Sequence, residues 1–285
     1  MPPGDRLGGQ DRGELVQGAS RAAMAEAQER LAAAVADPTA AATIGDELFE
    51  VAVLLDGEPG LRRALADPAT AAGARAGLVR ALLGGRIAPA TLDLVAALAA
   101  LRWSAPGDLP DAAEQLAVLA ISAAADNAGQ LDDLEDELFR FGRIVGTQPE
   151  LRSVLADQEP PAEAKRALLS ALLAGKVTAA GLSLITQAAV HPRGRSVDAS
   201  LAEYARLAAD WRQRLIAFVR VATDLTTSQR GRLTAALSAI YGRDVHLNVV
   251  IDPAVVGGMS IQIGDEFLDG SVGSRLAQLR RRLAA

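Results

Sequence analysis

Few residues in this 285-residue chain are suited to catalysis or metal binding. It contains no Cys and only two His, His191 and His246, so disulfides, thiolate nucleophiles and cysteine-based zinc sites are excluded. The absence of an HExxH pair argues against a His-based metal site. His191 precedes Pro192 at an expected helix end, and His246 lies on an expected strand. Neither has a nearby Ser nucleophile with an orienting acid, so structural roles are predicted for both.

Two glycine-containing segments resemble the end of a phosphate-binding loop of the form GxxxxGK[ST]. Gly175 and Lys176 fit its GK pair, but Ser170 stands at the first glycine and Val177 at the magnesium-binding hydroxyl. Residues 84–86 fail in the same way. Both segments are interpreted as a helix stop followed by a turn.

The remaining candidates are charge clusters and a glycine pair. Carboxylates cluster at 132–133, 135–137 and 265–266. General acid–base catalysis needs a desolvated carboxyl group. The helical clusters are instead expected on a solvent-exposed helix face, as are Asp46, Glu47 and Glu50 in another helix. Arginines 275 and 280–282 could complement a helix C-terminus or bind an acidic partner helix, and both interpretations stay open. The pair 257–258 is interpreted as a strand entry in preference to a ligand-facing backbone.

Composition excludes further classes. The chain has 29 Lys and Arg against 35 Asp and Glu, a net charge of −6, and nine aromatic residues. Nucleic-acid binding needs clustered cations and stacking platforms, so it is not expected. The longest run of apolar or small residues, 116–125, is too short to cross about 30 Å of hydrocarbon. The N-terminus is not expected to be a signal peptide. We expect a soluble, cytoplasmic protein with no cofactor and no direct membrane insertion.

An internal repeat organises most of the chain. Residues 46–95 share 20 identities with residues 136–185 without a gap, and the matches include two DELF segments at 46–49 and 136–139. Such a repeat predicts two copies of one helical bundle, each with its own apolar interior. Apolar periodicity and Gly or Pro punctuation predict the helices 17–36, 40–56, 60–66, 71–84, 89–103, 110–126, 130–146, 150–156, 161–174, 179–190 and 196–213.

The pattern changes after residue 213. A β-branched run at 215–225 predicts a strand, and Thr226 with Gln229 predicts a capping box at the start of a helix to about Tyr241. Alternating runs then predict strands at 245–251, 259–263 and around Phe267, followed by a last helix that begins at Ser271. The predicted fold is mainly α, with two repeated helical bundles followed by a small β-α-β-β-β-α domain. The boundaries are 1–16 (a disordered leader), 17–110, 111–213 and 214–285.

The C-terminal segment 251–265 (IDPAVVGGMSIQIGD), with 269–272 (DGSV) and Arg275-Leu276, resembles the delta subunit family of F-type ATP synthase. Residues 111–285 resemble the whole of an ordinary family member, including ELFRFGRIV and PELRSVLAD. The first repeat is additional, and long versions with a GASR segment like residues 18–21 are typical of actinobacterial delta subunits. The family combines a six-helix bundle with a small α/β domain.

The resemblance implies a non-catalytic stator subunit at the cytoplasmic face of the cell membrane, which joins the catalytic head to the peripheral stalk. In the family, N-terminal helices of the alpha subunits bind a groove between the first and fifth bundle helices, and the α/β domain binds the b-type stalk subunit. Carried onto this chain, these sites fall in two sets of residues. The candidates are Leu116, Leu119, Leu182, Ile185 and Ala189 for alpha, and Val272, Arg275, Leu276 and Leu279 for b.

Two alternatives stay open. An unrelated helical adaptor would use both bundles to bind amphipathic helices of other proteins. A small-ligand enzyme would instead require a polar concave pocket that contains a carboxylate with a perturbed pKa.

Overall fold

The chain divides into two compact units, Met1–Trp211 and Arg212–Ala285. This is a computed structural model, and it describes residues 10–157, 159–213, 215–241, 245–252, 255, 257–263 and 266–269. The first unit is helical, and the second combines strands with a helix.

Eleven helices form the described part of the first unit. All eleven predicted helices are found, ten of them with both ends within three residues of the prediction. The exception is α1, which begins at Gln10, so the end of the predicted leader is helical. The helices are α1 Gln10–Ala34, α2 Pro38–Gly57, α3 Pro59–Ala66, α4 Ala72–Leu83, α5 Pro89–Ala100, α6 Asp108–Asn127, α7 Leu131–Thr147, α8 Pro149–Ala156, α9 Ala162–Leu173, α10 Ala179–Val190 and α11 Val197–Gln213.

Local sequence signals explain where these helices begin and end. The Asp37 carboxylate caps α2 by accepting hydrogen bonds from the Thr39 amide (3.0 Å) and hydroxyl (2.7 Å). Those bonds hold the pKa of Asp37 below its ordinary value. Gly85 and Gly175 follow α4 and α9 with φ of +73° and +69°, a conformation that terminates helices and favours glycine. The two segments that resembled phosphate loops are therefore helix stops.

Helix positions follow the 90-residue repeat. The bounds of α3, α4 and α5 recur 90 residues later as α8, α9 and α10. The same shift moves α6 from 108–127 to 198–217, onto α11, and moves α1 from 10–34 to 100–124, onto α6. The predicted boundary between residues 110 and 111 falls inside α6, because that helix corresponds to the last helix of one repeat and the first of the next.

The core of the first unit is built around α6. This helix is buried along most of its length, from Leu109 to Ala125, and α2 packs closely along it. Gly45 permits this approach, since a Cβ there would lie 2.7 Å from the Ile121 side chain and 3.1 Å from the Ala117 carbonyl oxygen. Helix α2 of the first repeat therefore packs on a helix that corresponds to positions in both repeats.

A buried cation occupies the same place in each repeat. The Arg75 guanidinium donates to the carbonyl oxygens of Leu65 (3.2 Å) and Leu101 (2.8 Å). The Lys165 ammonium, 90 residues on, donates to the carbonyl oxygens of Leu155 (3.0 Å) and Ala189 (3.4 Å). Both side chains satisfy carbonyl groups at helix ends that would otherwise be buried without partners.

The second unit contains a four-stranded mixed sheet in the order β2-β1-β3-β4. Strand β1 pairs parallel with β2 across a crossover helix, and the other two pairings are antiparallel. The core includes Ala217, Val219 and Leu237. The elements are β1 Leu215–Val221, α12 Thr227–Tyr241, β2 Val245–Ile251, β3 Met259–Ile263 and β4 Glu266–Asp269.

Several predictions for this unit are confirmed. Thr226 and Gln229 form the reciprocal capping box, with the Thr226 amide donating to the Gln229 side chain at 2.8 Å and the Gln229 amide to the Thr226 hydroxyl at 3.3 Å. Gly257 and Gly258 have φ of +84° and +79° directly before β3, as a strand entry requires. The predicted strand at 215–225 ends earlier, at Val221. The predicted last helix and the arginines 275 and 280–282 lie outside the described residues.

Candidate partner-binding sites

The candidates for alpha binding lie on α6 and α10, in the core of the first unit. Leu116, Leu119, Ile185 and Ala189 are 0% exposed, and Leu182 is half-buried. Four of the five side chains therefore have no surface available to a partner in this structure, and only Leu182 does. The resemblance placed these residues in a groove, but here they are packed against other helices of the same chain.

Helix α2 lies against both helices that carry these candidates. It packs along α6 and also contacts α10, where the Ser183 hydroxyl donates to the Asp46 carboxylate at 3.0 Å. Helix α2 belongs to the first repeat, and its counterpart in the second repeat is α7. The sequence carries a signal for this contact, since Gly45 stands on the α6-facing side of α2 and Glu135 is its counterpart in the second repeat.

An ionic network centred on Arg193 joins the two repeats. Its guanidinium donates hydrogen bonds to the carboxylates of Asp56 in α2 and of Asp111 and Glu114 in α6. The Nη2 atom lies 3.1 Å from Asp56 Oδ1 and 2.7 Å from Asp111 Oδ1. The Arg193 side chain is 12% exposed and that of Glu114 is 4% exposed. Arg193 adopts φ of +51°, so its backbone is held in a strained conformation that places the side chain in the network.

Two more groups complete the network. Arg195 donates to the Glu114 carboxylate, and the Tyr204 hydroxyl donates to it at 2.6 Å. Burial tends to lower the pKa of Arg193, but the hydrogen bond to Asp56 and the surrounding carboxylates raise it above its ordinary value. Burial and the Glu114 charge raise the pKa of Tyr204. Arg193 therefore stays cationic and Tyr204 stays protonated, as an internal ion network requires.

A polar cavity of about 290 Å³ borders this network. Its lining includes Glu203, whose pKa is lowered because it accepts hydrogen bonds from Arg206. An enzyme would need a carboxyl group that can exchange a proton near neutral pH, so a raised pKa is required. Glu203 stays ionised and paired, so it does not supply the acid–base group that the enzyme alternative predicts. The sequence of the loop that carries Arg193 contains no motif that would have predicted this network.

The helical carboxylates hold helices together. Glu47 accepts hydrogen bonds from the Ala88 amide at 2.8 Å and from the Thr91 hydroxyl. Glu137, 90 residues on, accepts from the Thr178 amide at 2.7 Å and the Thr178 hydroxyl at 2.8 Å. The prediction that these two carboxylates stay wet is wrong, because each turns toward the N-terminus of a neighbouring helix, where amide groups need acceptors.

Burial, and then the Asp136 charge, raise the pKa of Glu135. Among the residues that the structure describes, no three His, Asp or Glu side chains converge to hold a metal ion. Nor does any helix of this part combine the length and apolar character needed to cross a bilayer.

The candidates for b binding, Val272, Arg275, Leu276 and Leu279, lie outside the described residues.

These features define a class: a protein with a helical unit and a small α/β unit, in which buried charges connect helices of the same chain. A family model described as "ATP synthase delta (OSCP) subunit" matches residues 117–283, more than half of the chain. The chain belongs to the ATP synthase delta (OSCP) subunit family.

Relatives from actinobacteria support the assignment. A protein called ATP synthase subunit delta from Thermobifida fusca is 50% identical over 84% of this chain and 89% of the relative. Another of that name from Acidothermus cellulolyticus is 48% identical over 85% of this chain and 88% of the relative. A chain from the Toxoplasma gondii mitochondrial ATP synthase hexamer covers 59% of this chain and 95% of its own at 18% identity, and its TM-score of 0.27 is too low to inform on the fold.

Family membership makes this chain a non-catalytic, peripheral-stalk subunit of the ATP synthase complex.

Proposed function

We propose that this chain links the catalytic head of ATP synthase to its b-type stalk and resists rotor torque during ATP synthesis. The observation that carries this proposal is the division into two compact units, one helical and one α/β. A linker between two partners needs two separate binding bodies. It also needs large packed interfaces rather than catalytic groups.

We propose further that the helical unit consists of two six-helix bundles that share α6. The 90-residue correspondence of helix bounds supports this arrangement, as does the overlap of α6 with the counterparts of both α1 and α11. The shared helix accounts for the burial of α6, because a helix that belongs to two bundles is packed on both sides.

The helical unit is the proposed binding site for the N-terminal helices of the alpha subunits. Of the five candidate residues, Leu182 is accessible, so an alpha helix that uses this groove would contact Leu182 beside α2 and would reach the others only after α2 moves. The equivalent position in the first repeat is Leu92, which is also half-buried. The two leucines therefore provide matched probes of which repeat contacts the head.

The α/β unit is the proposed binding site for the b subunit, through Val272, Arg275, Leu276 and Leu279. Apolar residues three and four positions apart would form a stripe that can pack on a stalk helix. The proposed location of the assembled protein is the cytoplasmic face of the cell membrane, where it is held by its partners.

Reconstitution tests the proposal. ATP synthase is stripped of this subunit, the full chain is added back, and rebinding and proton-driven ATP synthesis are measured. Wild type is expected to restore both. Leu276→Asp with Leu279→Asp should retain binding to the isolated head and lose binding to b, whereas Leu182→Asp should weaken head binding more than Leu92→Asp. Wild-type rebinding without recovery of coupled synthesis would refute the torque-resisting role.

A further inference from the structure

Helix α7 carries a solvent-exposed stripe that the proposed function does not use. Phe139 is 61% exposed and Ile144 is 47% exposed, although both are large apolar side chains. The Arg143 guanidinium lies 5.9 Å from the centre of the Phe139 ring, a cation–π contact that holds both side chains on one face. We name the surface formed by Phe139, Arg140, Arg143, Ile144 and Thr147 the α7 face.

The first repeat shows what covers the equivalent position. Phe49 corresponds to Phe139 and is 4% exposed, with its ring centre 6.1 Å from that of Tyr204 in α11. One copy of this phenylalanine is thus covered by a side chain from a helix, and the other copy is presented to solvent. An exposed aromatic residue beside arginine is typical of the residues that dominate binding energy at protein interfaces.

The charges of the α7 face define the partner. The first repeat has Glu50 and Val53 where the α7 face has Arg140 and Arg143, so the second copy is basic at positions that are acidic or apolar in the first. The Arg140 side chain is 73% exposed and pairs with Asp136 within one helical turn, while Arg143 extends over the Phe139 ring. Arg140, Arg143, Ile144 and Thr147 also line a surface depression of about 310 Å³, which is large enough for an apolar side chain.

We propose that the α7 face binds an acidic amphipathic helix of another subunit of the complex, with its apolar residues on Phe139 and Ile144 and its carboxylates on Arg140 and Arg143. This inference goes beyond the proposed link between head and stalk and does not depend on it. The partner is a helix because the equivalent phenylalanine is covered by one, and it is acidic because the exposed arginines flank the apolar residues.

Photo-crosslinking in the assembled complex tests the proposal. A benzoylphenylalanine probe replaces Phe139 in the full chain, ATP synthase containing that chain is purified and irradiated, and the adduct is mapped by mass spectrometry. The matched control carries the probe at Ile240, which is 72% exposed on α12. We expect the probe at 139 to crosslink to an acidic amphipathic segment of another subunit and the probe at 240 not to crosslink to that segment.

Charge reversal supplies the second arm. Arg140→Glu with Arg143→Glu should lower the crosslink yield at residue 139 at least tenfold, whereas Arg140→Lys with Arg143→Lys should retain most of it. Because both residues are exposed, the variants should stay folded, and far-UV circular dichroism should show this. The proposal is overturned by the absence of an adduct, by adducts to residues 212–285 of the same chain or to a second copy, or by a yield that charge reversal leaves unchanged.

Discussion

Helices α2 and α7 occupy corresponding positions in the two repeats and share the DELF segment, yet their surroundings differ. Phe49 in α2 is buried against α11, and Phe139 in α7 is open to solvent. Other pairs behave alike: Leu82 and Leu172 are both 41% exposed. The repeats therefore share an internal framework and differ in what one particular helix contacts.

Small changes on one helix face account for this difference. Gly45 allows α2 to lie close to α6, whereas its counterpart Glu135 would insert a carboxylate into such a contact, at a large cost in desolvation. Helix α2 thus packs inside the chain, whereas the related helix α7 has a basic and apolar surface. The following predictions test that comparison, beginning with the largest expected effect.

The two phenylalanines should respond differently to truncation. Phe49→Ala leaves a cavity in the core and should lower the free energy of unfolding by about 3–5 kcal/mol. Phe139→Ala removes an exposed side chain and should change it by no more than about 0.5 kcal/mol. Chemical denaturation of the full chain, followed by circular dichroism at 222 nm, measures both. Similar losses for the two variants would contradict the comparison.

Arg193 should be required to hold α2 against the second repeat. Arg193→Met removes the cation from between three carboxylates and leaves Glu114 buried with fewer partners, so we expect a loss of about 3 kcal/mol. The control is Arg206→Met on α11, where the ion pairs are exposed and a change of no more than about 1 kcal/mol is expected. Equal effects on the thermal midpoint would show that the network does not join the repeats.

Replacing Gly45 with a residue that adds even one methyl group should lower the stability of the chain. Gly45→Ala brings a Cβ to 2.7 Å from the Ile121 side chain, so α2 must shift and the chain should lose about 1–2 kcal/mol. In α7, a Cβ at Gly146 would meet nothing within 4 Å. Gly146→Ala should therefore stabilise by about 0.5 kcal/mol through helix propensity. A stabilising Gly45→Ala would show that α2 and α6 are not closely packed.

The smallest expected effect concerns pH. Burial, and then the charges of Arg166 and Lys165, lower the pKa of His191 from 6.5. The folded state therefore favours the neutral imidazole, and its stability should fall as the pH drops below 6.5. The first repeat has Leu101 at this position. Lowering the pH from 8 to 5.5 should lower the thermal midpoint slightly less for His191→Leu than for wild type. Identical decreases in the two proteins would contradict the lowered pKa of His191.

Local chemistry made most of the fold predictable. Helix ends followed from Pro at first positions and Gly after last turns, and the Thr226–Gln229 capping box was found as predicted. The burial of Leu116 and Ile185 could not be predicted in the same way, because their helices pack against α2, which lies about 60 residues or more away in the chain. The Arg193 network was missed for the same reason, since Asp56 and Arg193 are 137 residues apart.

The sequence by itself determined the helices, the 90-residue repeat, the α/β pattern and the family resemblance, because these depend on periodicity, turn residues and motifs that are local in the chain. Only the tertiary structure decided that α2 packs along α6, that Leu116 and Ile185 are buried, and that Phe139 is left at the surface. Those outcomes depend on which helix faces pack against each other. The periodicity of a helix shows that it has an apolar face but does not identify the partner of that face.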